Sequence, residues 1–280
     1  MMEHRPFGPA THPVSVIGQG TWQIHQTDRR AAIAALQRGI DLGMTHIDTA
    51  ELYGESETVT GEAIAGRRDQ VFLVSKVMPS NASRAGTISA CETSLARLRT
   101  DYLDCYLLHW PGRHRLEDTI AGFETLIQQG KIRAWGLSNF DVDGLQAAWN
   151  AGGANRIACN QVLYHLQERA IEHAVLPWCA EHTISITAYS PFGSGNFPAP
   201  ASSGGKVLQK IAAAHGATPR QVALRFLLRH PSVFAIPKAS RAEHAAENAA
   251  AGWLDLSASD ITAIDAAFPR GKKPRALPML

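Results

Sequence analysis

The chain has 280 residues, of which 45% are hydrophobic and 19% are charged, and 27 Lys and Arg against 25 Asp and Glu give a net charge of +2. This composition is ordinary for a folded globular protein and excludes disorder as the main state. A net charge so close to zero gives no electrostatic argument for nucleic acid or a membrane surface as a partner, so we expect neither.

Short runs rich in β-branched residues alternate along the chain with longer alanine- and leucine-rich runs of helical period. The alternation predicts strands, in chain order, at residues 15–22, 45–49, 71–77, 102–109, 133–138, 158–161, 184–189 and 233–237. It predicts a helix after each strand, at residues 28–42, 57–65, 84–99, 117–129, 142–149, 171–182, 219–229 and 241–250. Two further helices are predicted at residues 206–215 and 258–268.

Eight strand–helix units with short connections predict one α/β domain over residues 1–280: a single (β/α)8 TIM barrel with a short N-terminal segment and two extra helices. Residues at the predicted helix ends agree, because Asp28 suits an N-cap, Pro219 suits a first turn, and Gly43 and Gly130 suit a positive φ after a helix. The glycine- and proline-rich loop at 192–205 is interpreted as either a lid or a surface excursion.

Motifs that the sequence lacks exclude several classes of protein. A doubly wound dinucleotide fold is disfavoured because Gln23 stands where the third glycine of its fingerprint belongs. No H-x-H or H-E-x-x-H pattern indicates a metal site, and no apolar run approaches the ~18 residues that span a bilayer. Residues 1–13 do not resemble a secretory signal, and four scattered cysteines suit reduced thiols, so we expect a cytoplasmic protein without a metal.

Four polar side chains stand where a parallel barrel carries its functional groups, at the carboxyl ends of strands. Asp48 lies at the end of the second predicted strand and Tyr53 follows that strand, while Lys76 lies at the end of the third and His109 at the end of the fourth. Lys76 and Asp48 would have to pair if buried, because lone buried charges are costly. A cation beside the phenol is expected to lower its pKa from ~10 and make Tyr53 a usable proton donor. His109 could donate a hydrogen bond to an oxygen that gains negative charge.

Seven motifs in order, covering nearly the whole chain, resemble those of the aldo-keto reductase superfamily. They are IDTAELYG (47–54), VSK (74–76), LLHW (107–110), GLSNF (136–140), CNQ (159–161), AYSP (188–191), and IPKAS with EN ten residues after its lysine (236–248). Members of that family are single barrels that reduce aldehydes and ketones with NADPH and sometimes NADH. Further runs, such as NQVLYHLQERAIE (160–172), are similar to the compact bacterial branch that reduces methylglyoxal.

The resemblance implies a role for each matching residue. Tyr53 would be the general acid, Lys76 paired with Asp48 would lower its pKa, and His109 would orient the carbonyl. The implied cofactor contacts are Ser138, Asn139 and Gln161 at the nicotinamide carboxamide, Tyr189 under the ring, Ser190 at the pyrophosphate, Lys238, Ser240 and Arg241 around the 2′-phosphate, and Glu247 and Asn248 at the adenine. Trp22, Tyr53 and Trp110 would line a small open pocket, which suits small or flat carbonyl compounds.

The adenosine end of the implied site departs from the family pattern. His244 stands where the best-known mammalian members have an arginine, six residues after the lysine. Lys238 and Arg241 still favour a 2′-phosphate, since phosphate pairs well with a guanidinium, and NADPH is therefore the expected cofactor. Glu243 is nearby and could serve a ribose hydroxyl, which keeps NADH as a weaker alternative.

Other functions and other roles stay open from the sequence. A cofactor-binding sensor or regulatory subunit with little turnover is the main alternative to a reductase, and an unrelated barrel lyase or isomerase is another. We expect a monomer or weak homo-oligomer. His46 is interpreted as a core histidine with its hydrogen bonds satisfied, and four tryptophans are predicted at packing positions: Trp135, Trp149, Trp178 and Trp253.

Overall fold

A short antiparallel hairpin precedes the barrel in the computed structural model, which describes residues 2–10, 12–152 and 155–280. Its strands are β1 (His4–Arg5) and β2 (Val14–Ser15). The single predicted strand at 15–22 is therefore wrong at its start, because Ser15 pairs antiparallel with β1, whereas Ile17, Gln19 and Gly20 pair with strands of the barrel. The boundary of one domain over residues 1–280 stays a prediction, and residues 1, 11, 153 and 154 lie outside the described residues.

Eight parallel strands follow one another in chain order around the sheet. They are β3 (Gln19–Gly20), β4 (His46–Asp48), β5 (Phe72–Val77), β6 (Leu103–Leu108), β7 (Ile132–Ser138), β8 (Ile157–Leu163), β9 (Ser185–Tyr189) and β10 (Val233–Ala235). The first and last strands meet through a parallel bridge between Ile17 and Ala235. There the Gly18 amide donates to the Ala235 carbonyl at 2.8 Å, and the Ala235 amide donates to the Val16 carbonyl at 2.9 Å. The sheet therefore closes on itself, and the predicted barrel is confirmed.

Helices follow the strands and cover the outside of the barrel. They are α1 (Arg29–Asp41), α2 (Ser56–Ala63), α3 (Arg84–Leu98), α4 (Leu116–Gln128), α5 (Val142–Gly152), α6 (Val175–Glu181), α7 (Ser203–Ala214), α8 (Pro219–Leu227), α9 (Ala242–Ala250) and α10 (Ala258–Ala267). The two extra helices of the prediction are α7 and α10. Among the described residues, no helix combines the length and the apolarity that crossing a bilayer requires.

Local sequence signals set the helix ends. The Asp28 carboxylate accepts from the Ala31 amide at 2.9 Å and caps α1. Thr218 and Gln221 form a capping box at the start of α8. The predicted helix at 171–182 is instead a 3-10 turn followed by α6, because Ala174 between them has a φ of −149° and interrupts the helix.

An aromatic cluster closes the amino-terminal end of the barrel, and we call it the floor cluster: Phe7, His46, Phe72 and Phe234. The Phe7 ring lies 5.5 Å from the His46 ring, 5.0 Å from Phe72 and 4.9 Å from Phe234, with edge-to-face geometry throughout. Phe7 and Phe234 are almost completely buried. The floor is therefore filled by side chains, and the barrel opens at the carboxyl end of its strands.

Candidate active site

The register of three neighbouring strands brings the predicted polar residues to one place. Asp48, the last residue of β4, pairs with Val74 of β5, and Lys76 of β5 pairs with Leu107 of β6. Tyr53 lies in the turn after β4, where its amide donates to the Ala50 carbonyl at 3.0 Å. Gly54 follows with a φ of +58°, a conformation that suits glycine and turns the chain into α2.

Lys76 is the centre of the resulting cluster. Its ammonium donates to Asp48 Oδ1 at 2.5 Å and to the Thr49 carbonyl at 2.7 Å, and it lies 3.5 Å from the Tyr53 hydroxyl. The side chains of Lys76 and Asp48 are 0% and 2% exposed. Burying this ion pair is costly, and it is tolerated because the carboxylate and the carbonyl satisfy the ammonium.

Burial and the neighbouring charges set the protonation states of the pair. Burial alone would lower the pKa of Lys76, but Asp48 and Tyr53 raise it above its ordinary value. Burial raises the pKa of Asp48, against the opposing effects of Lys76 and of a hydrogen bond from Gln161. Lys76 therefore stays a cation near neutral pH and keeps its attraction for any negative charge on the Tyr53 oxygen.

The expectation of a lowered pKa for Tyr53 is wrong in this structure. Burial raises the pKa of the phenol, and the Lys76 charge reverses only part of that rise. Asp48 adds to the rise because it places a second negative charge close to the phenolate. Tyr53 is therefore a protonated phenol near neutral pH, ready to donate rather than to accept a proton.

His109 completes the cluster as an uncharged imidazole. Its Nε2 atom lies 3.4 Å from the Tyr53 hydroxyl, and the two rings meet edge to face with centroids 5.5 Å apart. Burial, together with the Lys76 charge, lowers the pKa of His109 to about 2. Nδ1 has no hydrogen-bond partner among the described residues, so only the Nε2 side of the ring makes a polar contact.

A cavity of about 530 Å³ opens above this cluster at the mouth of the barrel. Most of the predicted site residues line it, namely Trp22, Asp48, Tyr53, His109, Trp110, Ser138, Asn139, Gln161, Tyr189, Ser190 and Lys238. Lys76 is fully buried and contacts Asp48 and Tyr53 from below. Trp22 is 43% exposed, so it forms part of the rim of the cavity and not of the core.

The amide side chains at the centre of the cavity already have protein partners. Asn139 has a φ of +62°, donates to the His109 carbonyl at 3.2 Å and accepts from the Tyr189 hydroxyl at 3.0 Å. Gln161 reaches across the barrel from β8 and donates to Asp48 Oδ2 at 2.7 Å. These bonds fix the orientation of both amides before any ligand is present.

Four predicted cofactor residues lie outside the cavity wall. Ser240 is half-buried, and Arg241 is exposed and donates to His244 Nε2 at 2.8 Å. Glu247 accepts from the Thr218 hydroxyl at 2.7 Å, and Asn248 is 5% exposed. Their contacts with an adenosine group stay a prediction.

The loop after β9 is shorter than predicted, because Ser202 caps α7 and the helix begins at Ser203 instead of residue 206. Ser190, Gly193, Ser194 and Gly195 all have positive φ and line, or lie next to, the cavity. Phe192 and Phe197 meet edge to face at 6.0 Å, and the Arg220 guanidinium lies 4.8 Å from the Phe197 ring. Whether this loop acts as a lid stays a prediction.

Sequence reasoning missed several residues of the cavity wall, among them Leu52 and Leu280. Leu52 is 45% exposed within the IDTAELYG motif, and an exposed leucine beside polar groups was an available signal. Leu280 gave no signal, because it reaches the cavity from the far end of the sequence. Its amide lies 3.4 Å from the Tyr189 hydroxyl.

Comparisons with known proteins agree with this geometry. Residues 16–268 match the family model described as the aldo/keto reductase family. The chain is 46% identical over 268 residues to methylglyoxal reductase YeaE of Escherichia coli K12, covering 94% of both proteins. It is 34% identical to glyoxal reductase of Bacillus subtilis, covering 89% of this chain and 87% of that protein.

Solved structures are similar over the full length. An aldo-keto reductase from Klebsiella pneumoniae in complex with NADPH superposes with a TM-score of 0.93 at 43% identity, covering 100% of both chains. The thermostable aldo-keto reductase Tm1743, in complex with the inhibitor epalrestat, has a TM-score of 0.89 at 36% identity, covering 95% of this chain and 100% of that one.

Proposed function

The chain belongs to the aldo/keto reductase family, and from that membership we propose that it reduces small aldehydes and ketones to alcohols with NADPH, with Tyr53 as the proton donor. It is an NADP-dependent oxidoreductase. The observation that carries the proposal is the contact of the buried Lys76 ammonium with Asp48 and Tyr53 at the base of an open cavity.

The acid–base cluster suits the reductive direction. NADPH, when bound, supplies the hydride for the carbonyl carbon. Tyr53 donates its proton to the carbonyl oxygen, and Lys76 stabilises the phenolate that is left. His109, uncharged, donates a hydrogen bond through Nε2 to the same oxygen and orients the carbonyl.

The residues of the cavity fit a dinucleotide. Ser194 and Gly195, with φ values of +49° and +94°, line the cavity, and their backbone amides would contact an anion such as a pyrophosphate, whereas the Gly193 amide donates to the Ser190 carbonyl at 2.8 Å. Ser138, Asn139 and Gln161 would hold the nicotinamide carboxamide, and Tyr189 would lie under the ring. Ser190 would contact the pyrophosphate.

The rim of the cavity favours a phosphorylated adenosine. Lys238 and Arg241 are exposed cations that would pair with a 2′-phosphate, with Ser240 between them, so NADPH is preferred and NADH is the weaker alternative. Glu247 and Asn248 would contact the adenine. Assays with NADPH and NADH side by side test this preference.

Small or flat carbonyl compounds suit the pocket best. Trp22, Tyr53 and Trp110 offer aromatic walls with few polar anchors, which gives broad selectivity. The relatives named for methylglyoxal and glyoxal reduction favour methylglyoxal and similar aldehydes as substrates, with aromatic aldehydes next. We keep a monomer or weak homo-oligomer in the cytoplasm as part of the proposal, with light scattering as the test of assembly.

Tyr53→Phe tests the proposal, because it removes only the donor hydroxyl. We expect kcat for methylglyoxal to fall by about 10²–10⁴ while NADPH affinity, measured by fluorescence titration, is unchanged. Tyr102→Phe is the matched control, since Tyr102 lies at the opposite end of the barrel between the Arg68 and Arg133 guanidiniums. Wild-type turnover by Tyr53→Phe would overturn the proposal, and tight NADPH binding with no turnover by the wild type would indicate a sensor instead.

A further inference from the structure

Gln161 makes a contact that its expected role at the cofactor does not explain. Its Nε2 atom donates to Asp48 Oδ2 at 2.7 Å, across the barrel from β8 to β4. The other carboxylate oxygen, Oδ1, accepts from Lys76. Each oxygen of Asp48 thus accepts from one donor. The Lys76 ammonium is the charged donor, and the Gln161 amide is the uncharged donor.

The chemistry of Asp48 determines which way the Gln161 amide points. An ionised carboxylate only accepts hydrogen bonds, so the NH2 group of the amide has to face it. The Oε1 atom is then directed away from Asp48 and accepts no hydrogen bond from the described residues, while the residue itself lines the cavity. One amide therefore offers its acceptor to the cavity and its donor to the acid–base cluster.

We propose that Gln161 is a positioning residue that couples the cofactor carboxamide to the proton donor by holding Asp48 ionised beside Lys76. The inference rests on the proposed function, because it assumes that a carboxamide occupies the cavity next to Oε1. Occupation of that side locks the amide in the orientation that donates to Asp48. The ionised Asp48 then keeps Lys76 charged, and Tyr53 needs that charge to donate its proton.

The surroundings of Asp48 leave few other groups to do this. Lys76 contacts it from β5, Tyr53 lies in the turn after β4, His46 is on its own strand, and the charge of Asp48 acts on the Cys105 thiol of β6. Burial keeps His46 and Cys105 uncharged near neutral pH, since it lowers the pKa of the imidazole and raises that of the thiol. Gln161 is the neutral donor that opposes the effect of burial on the carboxylate.

Gln161→Met tests the inference, because it has a similar volume and no donor. Without the donor, Asp48 takes up a proton more readily, so the acid limb of the kcat profile moves to higher pH by about one unit. Asn139→Ala is the matched control, since this amide also faces the cavity but bonds to the His109 carbonyl and Tyr189, not to Asp48. It raises KM for NADPH and leaves the acid limb in place.

Gln161→Glu provides a second test that does not depend on how Gln161→Met folds. While the introduced carboxyl group is protonated, it keeps the shape of the amide and donates to Asp48. Activity is therefore retained at low pH and falls as the pH rises and the shared proton is lost. An unchanged pH profile in both variants, with only KM for NADPH raised, overturns the inference. Wild-type turnover by Tyr53→Phe would instead overturn the proposed function, so the two failures are distinguishable.

Discussion

Strand β4 carries a buried titratable side chain towards each end of the barrel, and the two have opposite surroundings. His46 lies in the floor cluster, where neither ring nitrogen has a partner among the described residues and the neighbours are aromatic rings. Asp48, two residues later, has a hydrogen-bond donor for each oxygen. The floor thus excludes charge by packing, whereas the mouth retains charge by pairing it.

The two ends of β4 therefore serve different purposes, since the floor end contributes to stability and the mouth end to chemistry. Residues of the floor contribute apolar burial, and none of the four lines the cavity, while residues of the mouth form a polar cluster that is costly to bury. Substitutions at the mouth should therefore change activity most, and substitutions at the floor should change stability alone. The three predictions that follow test this separation.

Lys76→Met should have the largest effect, because it breaks the pair and leaves Asp48 buried without its cation. We expect a loss of about 3–5 kcal/mol in the free energy of unfolding and a fall in kcat of about 10²–10⁴. Urea denaturation and steady-state kinetics measure the two effects. In the double variant Asp48→Asn with Lys76→Met, stability should recover while kcat does not, and recovery of both would contradict a chemical role for the pair.

Phe7→Ala should come next, with an effect on stability alone. Phe7 is 1% exposed and contacts three rings, so its truncation should cost about 3–5 kcal/mol in the free energy of unfolding. Phe72→Ala, at a partly exposed ring of the same cluster, should cost less. A fall in kcat of the folded Phe7→Ala protein would show that the floor and the mouth are not independent.

His46→Leu should have the smallest effect and should appear only in acid. Burial, with a contribution from Lys76, lowers the pKa of His46 to about 3, whereas an unfolded histidine titrates near 6.5. Between these values the unfolded state binds a proton that the folded state excludes, so stability falls with falling pH by about 1.4 kcal/mol per pH unit.

His109 adds the same slope from the mouth, because its pKa is lowered to about 2. Below pH 6.5, the two histidines together make the free energy of unfolding fall as the pH falls. In His46→Leu this contribution should be about half as steep as in the wild type, while kcat is unchanged. Urea denaturation at about pH 7, 6 and 5, on either side of the unfolded histidine pKa, measures that slope. A slope that does not change in His46→Leu would mean that His46 is hydrated or partnered in solution.

The sequence predicted the barrel well because periodicity and caps are local signals. The bounds of β5, α3 and α8 lie within about two residues of the prediction, Asp28 caps α1, and Pro219 lies in the first turn of α8, as expected. The start of the first predicted strand was wrong because Ser15 pairs with β1, and this pairing depends on tertiary contacts and not on the local sequence pattern. A Cβ at Gly18 would lie 2.6 Å from the His46 carbonyl, and this close approach to β4 is not visible in sequence.

The residues of the site were predictable as a set, but their energetics were not. Strand ends and motifs located Asp48, Tyr53, Lys76 and His109, which the structure brings together. The pKa of Tyr53 is raised and not lowered because the phenol is buried, and the sequence does not show that burial. The hydrogen bond from Gln161 to Asp48 joins residues far apart in the chain, so no local pattern indicates it. His46 is buried as expected but is not satisfied, and Trp253 is 54% exposed and not packed.

The bridge between Ile17 and Ala235 has a consequence for how the protein is made. The residues that complete the cylinder lie near the two ends of the sequence, so a nascent chain cannot seal it until residue 235 has left the ribosome. Until then β3 (Gln19–Gly20) is an edge strand that pairs only with β4, and the backbone groups on its other side can pair with another strand during synthesis. Only two or three residues on each side form that edge, which limits how well a stray strand can pair with it.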